Sequence, residues 1–221
     1  MNCSLLIPAK GFANGKQRLS SLLSAIQRSV LAEAMLKDVL RQVVLVHGLE
    51  AIFVVTGDGR VADIASSMGG HILWEDEERG ETAAVEFALR EMKQTGVRSA
   101  LVVPADIPLV HSSDIQQILS HTAAKDLSLP FALLVPSHDR MGTNGLLLSP
   151  PDLIPLRFGY DSFSYHLSQV AARGLTPLVL ENERIGLDID EPKDLERYLS
   201  LGTVGETYSV LVNMGMGLQR L

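Results

Sequence analysis

Apolar, β-rich runs alternate with stretches of helical periodicity along most of the chain, and this alternation predicts its fold. The predicted strands are Cys3–Ile7, Ala51–Thr56, His71–Trp74, Ala100–Pro104, Phe131–Val135, Leu146–Leu148 and Thr176–Leu180. The predicted helices are Ser24–Val46, Val61–Met68, Glu81–Gln94, Ile115–His121, Ser162–Ala172 and Pro192–Leu199. Continuous apolar strands separated by helices indicate an α/β fold with a mainly parallel sheet and helices on both faces. Leu146–Leu148 is expected to pair back on the strand that precedes it.

The first predicted helix is long and amphipathic. Apolar residues of the helix are expected on or near one face, at positions Ile26, Val30, Met35 and Val39. The pattern assigns residues 1–200 to one folded domain and residues 201–221 to a tail without clear periodicity. For that tail a docked strand, a homodimer contact and disorder all remain open.

Composition limits the classes of function. With 221 residues, of which 46% are apolar and 20% charged, the chain can bury a full core. A formal net charge of −7 without any basic run argues against a nucleic-acid surface. Cys3 is the only cysteine, which excludes a disulfide framework and a cysteine-based zinc site. The chain shows no signal-peptide layout and no run of membrane-spanning length, so we expect a cytoplasmic protein without a membrane partner.

Two short segments suit a small anion. Residues 138–145 (His-Asp-Arg-Met-Gly-Thr-Asn-Gly) follow the strand Phe131–Val135, and Phe158–Ser162 opens a helix. Glycine lets the backbone approach a ligand closely, and free N–H groups at a helix start attract phosphate or carboxylate. The alternative for each segment alone is a hairpin turn, or a helix N-cap on Asp161 or Ser162. Two such segments in an acidic chain together favour a small anionic ligand.

The loop that follows the first predicted strand concentrates positive charge. It carries Lys10, Lys16 and Arg18 together with Gly11 and Gly15. The loop is neither a Walker A motif, because the Gly-Lys-Ser/Thr ending is absent, nor a dinucleotide fingerprint. It suits a triphosphate wrapped by backbone amides, with the three cations neutralising its charge. Solvated surface lysines are the alternative interpretation.

Three aspartates are candidate metal ligands. Asp106 ends a buried strand between Pro104 and Pro108, and aspartate is rarely buried without a partner. Asp188 and Asp190 alternate with apolar residues, and on a strand they would point to the same side. Carboxylate oxygens together with a nucleotide are the environment that Mg²⁺ prefers. The alternative is that these aspartates cap turns and helices.

Two further segments could line a base or ribose pocket. One is Thr56-Gly57-Asp58, at the end of the second predicted strand, and the other is Arg79-Gly80-Glu81-Thr82-Ala83-Ala84, which opens the helix Glu81–Gln94. Both segments are also ordinary turn and cap sequences. The sequence shows no recognisable Ser-His-Asp or Cys-His arrangement, and its six histidines have no metal-ligand spacing.

Taken in order, these segments resemble the phospholactate guanylyltransferase family, which includes phosphoenolpyruvate and phosphoglycerate guanylyltransferases that begin side-chain assembly of coenzyme F-420. The resemblance spans roughly Leu5 to Leu199 and rests on Ile7–Leu19, Ala105–Leu109, Gly142–Asn144, Phe158–His166 and Gly186–Leu195. The pair of central motifs is specific, whereas a strand-end aspartate alone fits many nucleotidyltransferases. One departure is visible: the family usually carries Gly-Leu-Asn-Ala-Ala where this chain has Gly80-Glu81-Thr82-Ala83-Ala84. That change removes a side-chain amide suited to reading the base or ribose.

The resemblance implies a glycosyltransferase-A-like (nucleotide-diphospho-sugar transferase) fold, with GTP and a small phosphorylated three-carbon acid as substrates and pyrophosphate as a product. It implies Mg²⁺ on Asp106 and on an aspartate of the Asp188/Asp190 pair, and an acid site at Thr143, Gly159 and Ser162. The nucleophile would be a phosphate that is already ionised at neutral pH, so no general base is required. The nucleotide-binding candidates are Lys10, Gly11, Lys16, Arg18, Thr56 and Gly80, of which the three cations would also stabilise the leaving charge.

Two rival functions remain open from the sequence. One is a nucleotidyltransferase for another phosphorylated acceptor, or a glycosyltransferase, on the same fold. The other is a non-catalytic nucleotide sensor, whose signature would be loss of Asp106 or of the basic loop; both are present.

Overall fold

A computed structural model describes residues 2–124, 129–201 and 204–216 and contains one seven-stranded sheet. The strands are β1 (Cys3–Pro8), β2 (Leu49–Thr56), β3 (His71–Trp74), β4 (Ala100–Val102), β5 (Phe131–Pro136), β6 (Thr143–Ser149) and β7 (Leu178–Val179). The helices are α1 (Ala25–Val43), α2 (Gly59–Ser67), α3 (Glu81–Gln94), α4 (Ser112–Ala124), α5 (Ser162–Ala172), α6 (Pro192–Ser200) and α7 (Glu206–Asn213). Two single-turn 3₁₀ helices, Phe12–Asn14 and Gln17–Leu19, lie in the basic loop.

The sheet is mostly parallel, as the sequence predicts. Its strand order is β3-β2-β1-β4-β6-β5-β7, and β1 pairs in parallel with both β2 and β4. Strand β6 runs antiparallel to β4 and β5, because the short connection 137–142 allows only a hairpin return from β5. The predicted return pairing of Leu146–Leu148 is therefore confirmed, within a longer strand.

Both faces of the sheet are covered, which explains why its strands read as continuous apolar runs. On β1, Leu5 and Ile7 belong to an apolar cluster with α1, α2 and α4. Leu6 points to the opposite face and belongs to a second cluster with α3 and α5. Because the central strands are buried on both sides, their carboxyl ends provide a rigid edge on which to build a site.

A third apolar cluster joins the start and the end of the chain. It contains Leu19 from the basic loop, Leu187 and Ile189 from the aspartate segment, and Leu211 from α7. The tail docks as a helix on α1, not as a strand. The carboxylate of Asp38 accepts hydrogen bonds from the first two backbone N–H groups of α7, at 3.0 and 2.8 Å.

The predicted apolar face of α1 is only half correct. Met35 and Val39 are buried, but Ile26 is 78% exposed and Val30 is 40% exposed. The buried stripe of α1 passes through Leu31 at four-residue spacing. Toward the N-terminus it continues to residues 27 and 28, so Ile26 and Val30 lie outside it. Within the described residues, none of the helices has the length and apolar character needed to cross a membrane.

Candidate active site

Two neighbouring cavities open at the carboxyl ends of β1, β2 and β4. The basic-loop cavity, about 540 Å³, is lined by the loop after β1, by the loops after β2 and β3, and by α1 and α3. The hairpin cavity, about 420 Å³, lies between the β5–β6 hairpin, the start of α5 and the segment that contains Asp188 and Asp190. The two cavities share a wall formed by Glu81, Pro104, Asp106 and Asp190.

Lys16 lines the basic-loop cavity and contacts the two aspartates of this shared wall. Its Nζ forms an ion pair with Asp106 and donates to Asp190 Oδ1 at 2.7 Å. Burial alone would lower the pKa of Lys16, but the two carboxylates override burial and raise it. Burial opposes ionisation of Asp190 as well, and the charge of Lys16 nevertheless lowers the pKa of Asp190. The site thus holds a buried cation between two carboxylates.

Lys16 is held in place by its backbone. It has a left-handed conformation (φ 54°) immediately before the 3₁₀ turn Gln17–Leu19. Leu19, at the end of that turn, is fully buried in the third apolar cluster. The apolar anchor and the turn together direct the amine toward the sheet edge.

Asp188 faces the same centre but has a different partner. Asn144 Nδ2 donates to Asp188 Oδ1 at 2.9 Å and to the carbonyl of Ile185 at 3.0 Å. Burial, followed by the charge of Asp106, raises the pKa of Asp188. Asp188 and Asp190 lie outside any strand, yet both line the hairpin cavity, as their predicted pairing requires.

Glu81 belongs to a segment predicted to line a base or ribose pocket, but no role was predicted for its carboxylate. It is the first residue of α3 and lines both cavities, and no hydrogen bond or ion pair engages its carboxylate among the described residues. Burial, followed by the charge of Asp106, raises its pKa to about 7. Its position at the start of a helix looked like an ordinary first-turn acid, so only the folded structure shows its enclosure.

The donor set fits a divalent cation, although no ready-made cage is formed. The described residues contain no group of three or more His, Cys, Asp or Glu side chains arranged to hold a metal ion. The amine of Lys16 lies between two of the three predicted ligands. Asp106 Oδ1, however, is a buried oxygen without a hydrogen-bond partner, next to further carboxylates. A buried carboxylate oxygen without a donor, beside further carboxylates, suits a hard cation.

The predicted acid-binding residues converge on one cavity. Thr143, Gly159 and Ser162 all line the hairpin cavity together with Asp106. Ser162 Oγ lies 3.5 Å from Thr143 Oγ1. Gly159 has a φ of 97°, a conformation that favours glycine, and its carbonyl accepts from the N–H of Ser162 at 3.1 Å. The side-chain hydroxyls are thus close enough to contact a single small ligand.

The nucleotide-binding candidates divide between the cavities. Lys10, Gly11 and Lys16 line the basic-loop cavity, where a Cβ on Gly11 would lie 2.8 Å from an oxygen of Asp58. Arg18 lines the hairpin cavity and lies 3.6 Å from Glu191. Arg18 is thus separated from Lys10 and Lys16, with which it was predicted to bind the nucleotide.

Thr56, Gly80 and Arg140 have structural roles. Thr56 is buried, and its hydroxyl accepts from the N–H of Asp58 at 3.1 Å instead of facing a cavity. Gly80, with φ 93°, caps α3 and is absent from both linings. Arg140, the arginine of the hairpin segment, forms an ion pair with Glu181 and lies over the ring of Phe163 at 4.9 Å, so it does not reach the cavity.

The family profile described as "Guanylyl transferase CofC like" matches residues 3–220. This chain belongs to that family. It is 33% identical to phosphoenolpyruvate guanylyltransferase of Rubrobacter xylanophilus over 92% of this chain and 97% of the relative. It is 34% identical to 3-phospho-D-glycerate guanylyltransferase of Colwellia psychrerythraea, over 89% and 90%. It is also 32% identical to 2-phospho-L-lactate guanylyltransferase of Methanothermobacter thermautotrophicus, over 88% and 83%.

The CofC-like chain also matches solved structures of its predicted fold. A protein from Desulfovibrio desulfuricans G20, described as a nucleotide-diphospho-sugar transferase, superposes with a TM-score of 0.77 at 17% identity, covering 96% of this chain and 95% of that one. The predicted glycosyltransferase-A-like fold is therefore confirmed. At the helix opening where the CofC-like family pattern has asparagine, Thr82 accepts a hydrogen bond from the N–H of Phe158 at 2.9 Å. Thr82 thus supports the loop that carries Gly159.

Proposed function

We propose that the protein joins GTP to a small phosphorylated three-carbon acid, with release of pyrophosphate, as a guanylyltransferase of coenzyme F-420 biosynthesis in the cytoplasm. The acid is phosphoenolpyruvate, 2-phospho-L-lactate or 3-phospho-D-glycerate, the three compounds in the names of the relatives. The main observation is that the basic-loop cavity and the hydroxyl-lined hairpin cavity meet at Asp106 and Asp190, the two carboxylates that pair with Lys16. Two anionic substrates bound there would have their phosphates adjacent.

The basic-loop cavity is the proposed GTP site. Lys10, Lys16 and the backbone around Gly11 line one part of it and would contact the triphosphate. Glu75 and Asp76, from the loop after β3, line another part. Carboxylates only accept hydrogen bonds when ionised, and guanine offers N1–H and an exocyclic amine as neighbouring donors. These two acids are the proposed base readers.

The reaction requires one bond to form and one to break. A phosphate oxygen of the acid attacks the α-phosphorus of GTP, and the bond from that phosphorus to the β-bridging oxygen breaks, so its electron pair leaves with pyrophosphate. The attacking phosphate has a second pKa near 6 and is ionised at neutral pH, so the chain needs no general base. Lys16 and Lys10 would neutralise the leaving charge, while Thr143 and Ser162 orient the acid.

Mg²⁺ would be held by Asp106, Asp188 and Asp190, and it would supply positive charge for the phosphates of both substrates. Without added cation the shared wall carries more carboxylate than amine, since Glu81 joins the three aspartates near Lys16. Cation binding is therefore coupled to binding of the anionic substrates.

The test is pyrophosphate release by the purified protein with Mg²⁺, GTP and each of the three acids, with the product identified by mass spectrometry. We expect a guanylylated diphospho acid with one acid preferred. CTP replaces GTP in a parallel reaction, and Asp106→Asn serves as the inactive control. Release of pyrophosphate with CTP alone, or no product from any acid, would contradict the proposal.

A further inference from the structure

His166 lies directly behind the hairpin cavity. It is fully buried on α5, one turn after Ser162, and is not among the described residues that line either cavity. Both of its ring nitrogens are engaged. The backbone N–H of Arg157 donates to Nε2 at 3.2 Å, and Nδ1 lies 3.0 Å from the hydroxyl oxygen of Thr143.

The contact with Arg157 determines where the ring carries its proton. A backbone N–H can only donate, so Nε2 must be the bare, accepting nitrogen. A neutral imidazole with an accepting Nε2 carries its hydrogen on Nδ1. His166 therefore donates from Nδ1 to the oxygen of Thr143. Burial and then the positive charge of Arg157 lower the pKa of His166 to about 4, which is consistent with a neutral ring.

The tautomer in turn determines what Thr143 can do. A hydroxyl has one proton and two lone pairs. Nδ1–H of His166 occupies one lone pair of Thr143, and Ser162 Oγ is a second, longer donor to the same oxygen at 3.5 Å. Among the described residues no acceptor is recorded for the proton of Thr143, and this residue lines the hairpin cavity. Its proton is thus available to an oxygen of a ligand.

We propose that His166 is a positioning residue that fixes Thr143 as a hydrogen-bond donor to an anionic oxygen of the phosphorylated acid. The inference rests on the proposed function in placing the acid in the hairpin cavity. The opposite tautomer would accept the proton of Thr143 and leave only lone pairs facing an anion, which would repel it. The backbone N–H of Arg157 thereby determines whether Thr143 donates or accepts in its contact with the substrate.

Two amide variants separate the roles of the two ring nitrogens. His166→Asn places an amide near the position of Nδ1 and can still donate to Thr143, whereas His166→Gln places its amide near Nε2 and keeps only the contact with Arg157. Both variants remove the same ring, so they share its packing loss. We expect His166→Gln to raise KM for the acid by about tenfold or more, the loss typical of one hydrogen bond to a charged group. His166→Asn should restore most of that loss, and KM for GTP should change little in either variant.

The coupling to Thr143 is tested in a Thr143→Val background. There His166→Gln should add little further increase in KM for the acid, because the hydroxyl that it orients is gone. Equal acid KM values for the two amide variants, or a full additional loss in the Thr143→Val background, would overturn the inference.

Ring-nitrogen NMR of the wild-type protein gives an independent test that does not require a variant to fold. We expect a neutral His166 with its proton on Nδ1 at neutral pH, and a proton on Nε2 would overturn the inference. Failure of the proposed function looks different. It would appear in the wild-type enzyme as the absence of product with every acid.

Discussion

Replacing Glu81 with glutamine should stabilise the protein at alkaline pH and have little effect at acidic pH. Glu81 lies in the shared wall of the two cavities without a hydrogen bond or ion pair among the described residues. Burial and the charge of Asp106 raise its pKa from 4.5 to about 7. The folded state therefore binds the proton of this carboxyl more tightly than the unfolded state does.

The size of the effect follows from that difference in pKa. At about 1.4 kcal/mol per pKa unit, the raised pKa of Glu81 changes the free energy of unfolding by about 3 kcal/mol at most. The stability that comes from a raised carboxyl pKa is fully present below about pH 4.5 and is lost as pH rises through about 7. Wild-type stability should fall over this range by about that amount through Glu81, whereas glutamine, which does not titrate, removes this part of the fall.

Urea unfolding of both proteins at about pH 5 and pH 8, in the presence of a chelator, measures the difference. The expected gain of Glu81→Gln is about 2 to 3 kcal/mol at pH 8 and close to zero at pH 5. Glu196→Gln makes the same chemical change at an exposed position on α6, outside the site, and is the matched control. A Glu81→Gln gain that is equal at both pH values, or a loss at pH 8, would refute the reasoning.

Three other changes test the remaining elements of the site. Lys16→Met should lower kcat with GTP by about a hundredfold or more, as measured by pyrophosphate release, because it removes the cation between two carboxylates; a loss under tenfold would contradict its role. Asn144→Ala should cost about 1 to 3 kcal/mol in urea unfolding, because it removes the donor to Asp188 and to a backbone carbonyl; an unchanged midpoint would show that the contact is dispensable. Leu211→Ala, in the core of the tail helix, should cost about 2 to 5 kcal/mol, whereas Val212→Ala, 41% exposed, should cost under about 0.5 kcal/mol; equal costs would show that the tail is not docked.

The elements with strong periodicity could be predicted from the sequence, and those that depend on distant contacts could not. The bounds of β3, α3 and α5 are those predicted. Apolar spacing marks all three elements, and helix-start residues also mark the two helices. Strand β6 is longer than predicted. Thr143 and Gly145 are residue types common in turns, but here they pair with β5. Hydrogen bonding to a partner strand overrides local turn preference in such a case.

For the site, residue type and position near predicted strand ends pointed to the aspartates, Lys16 and the hydroxyls that the structure brings to the two cavities. The enclosure of the Glu81 carboxylate could not be predicted, because it depends on segments far along the chain, such as those of Pro104 and Asp190. Thr56 was predicted to bind the nucleotide because a strand-end threonine near glycine suits a ligand. In the structure its hydroxyl accepts a hydrogen bond from the backbone N–H of Asp58. The partner of a short polar side chain is set by tertiary geometry, which local sequence does not encode.

The third apolar cluster has a consequence for the order in which a nascent chain acquires its chemistry. Leu187 and Ile189, which flank the aspartate at position 188, and Leu19, which anchors the basic loop, share that cluster with Leu211 near the end of the described chain. During synthesis the basic loop emerges early, but Leu211, which shares the cluster that anchors it, emerges much later. The protein should therefore be unable to bind its ligands tightly until α7 has been synthesised. A tag or truncation at α7 should therefore weaken ligand binding through the packing of this cluster, although α7 contributes no reacting group.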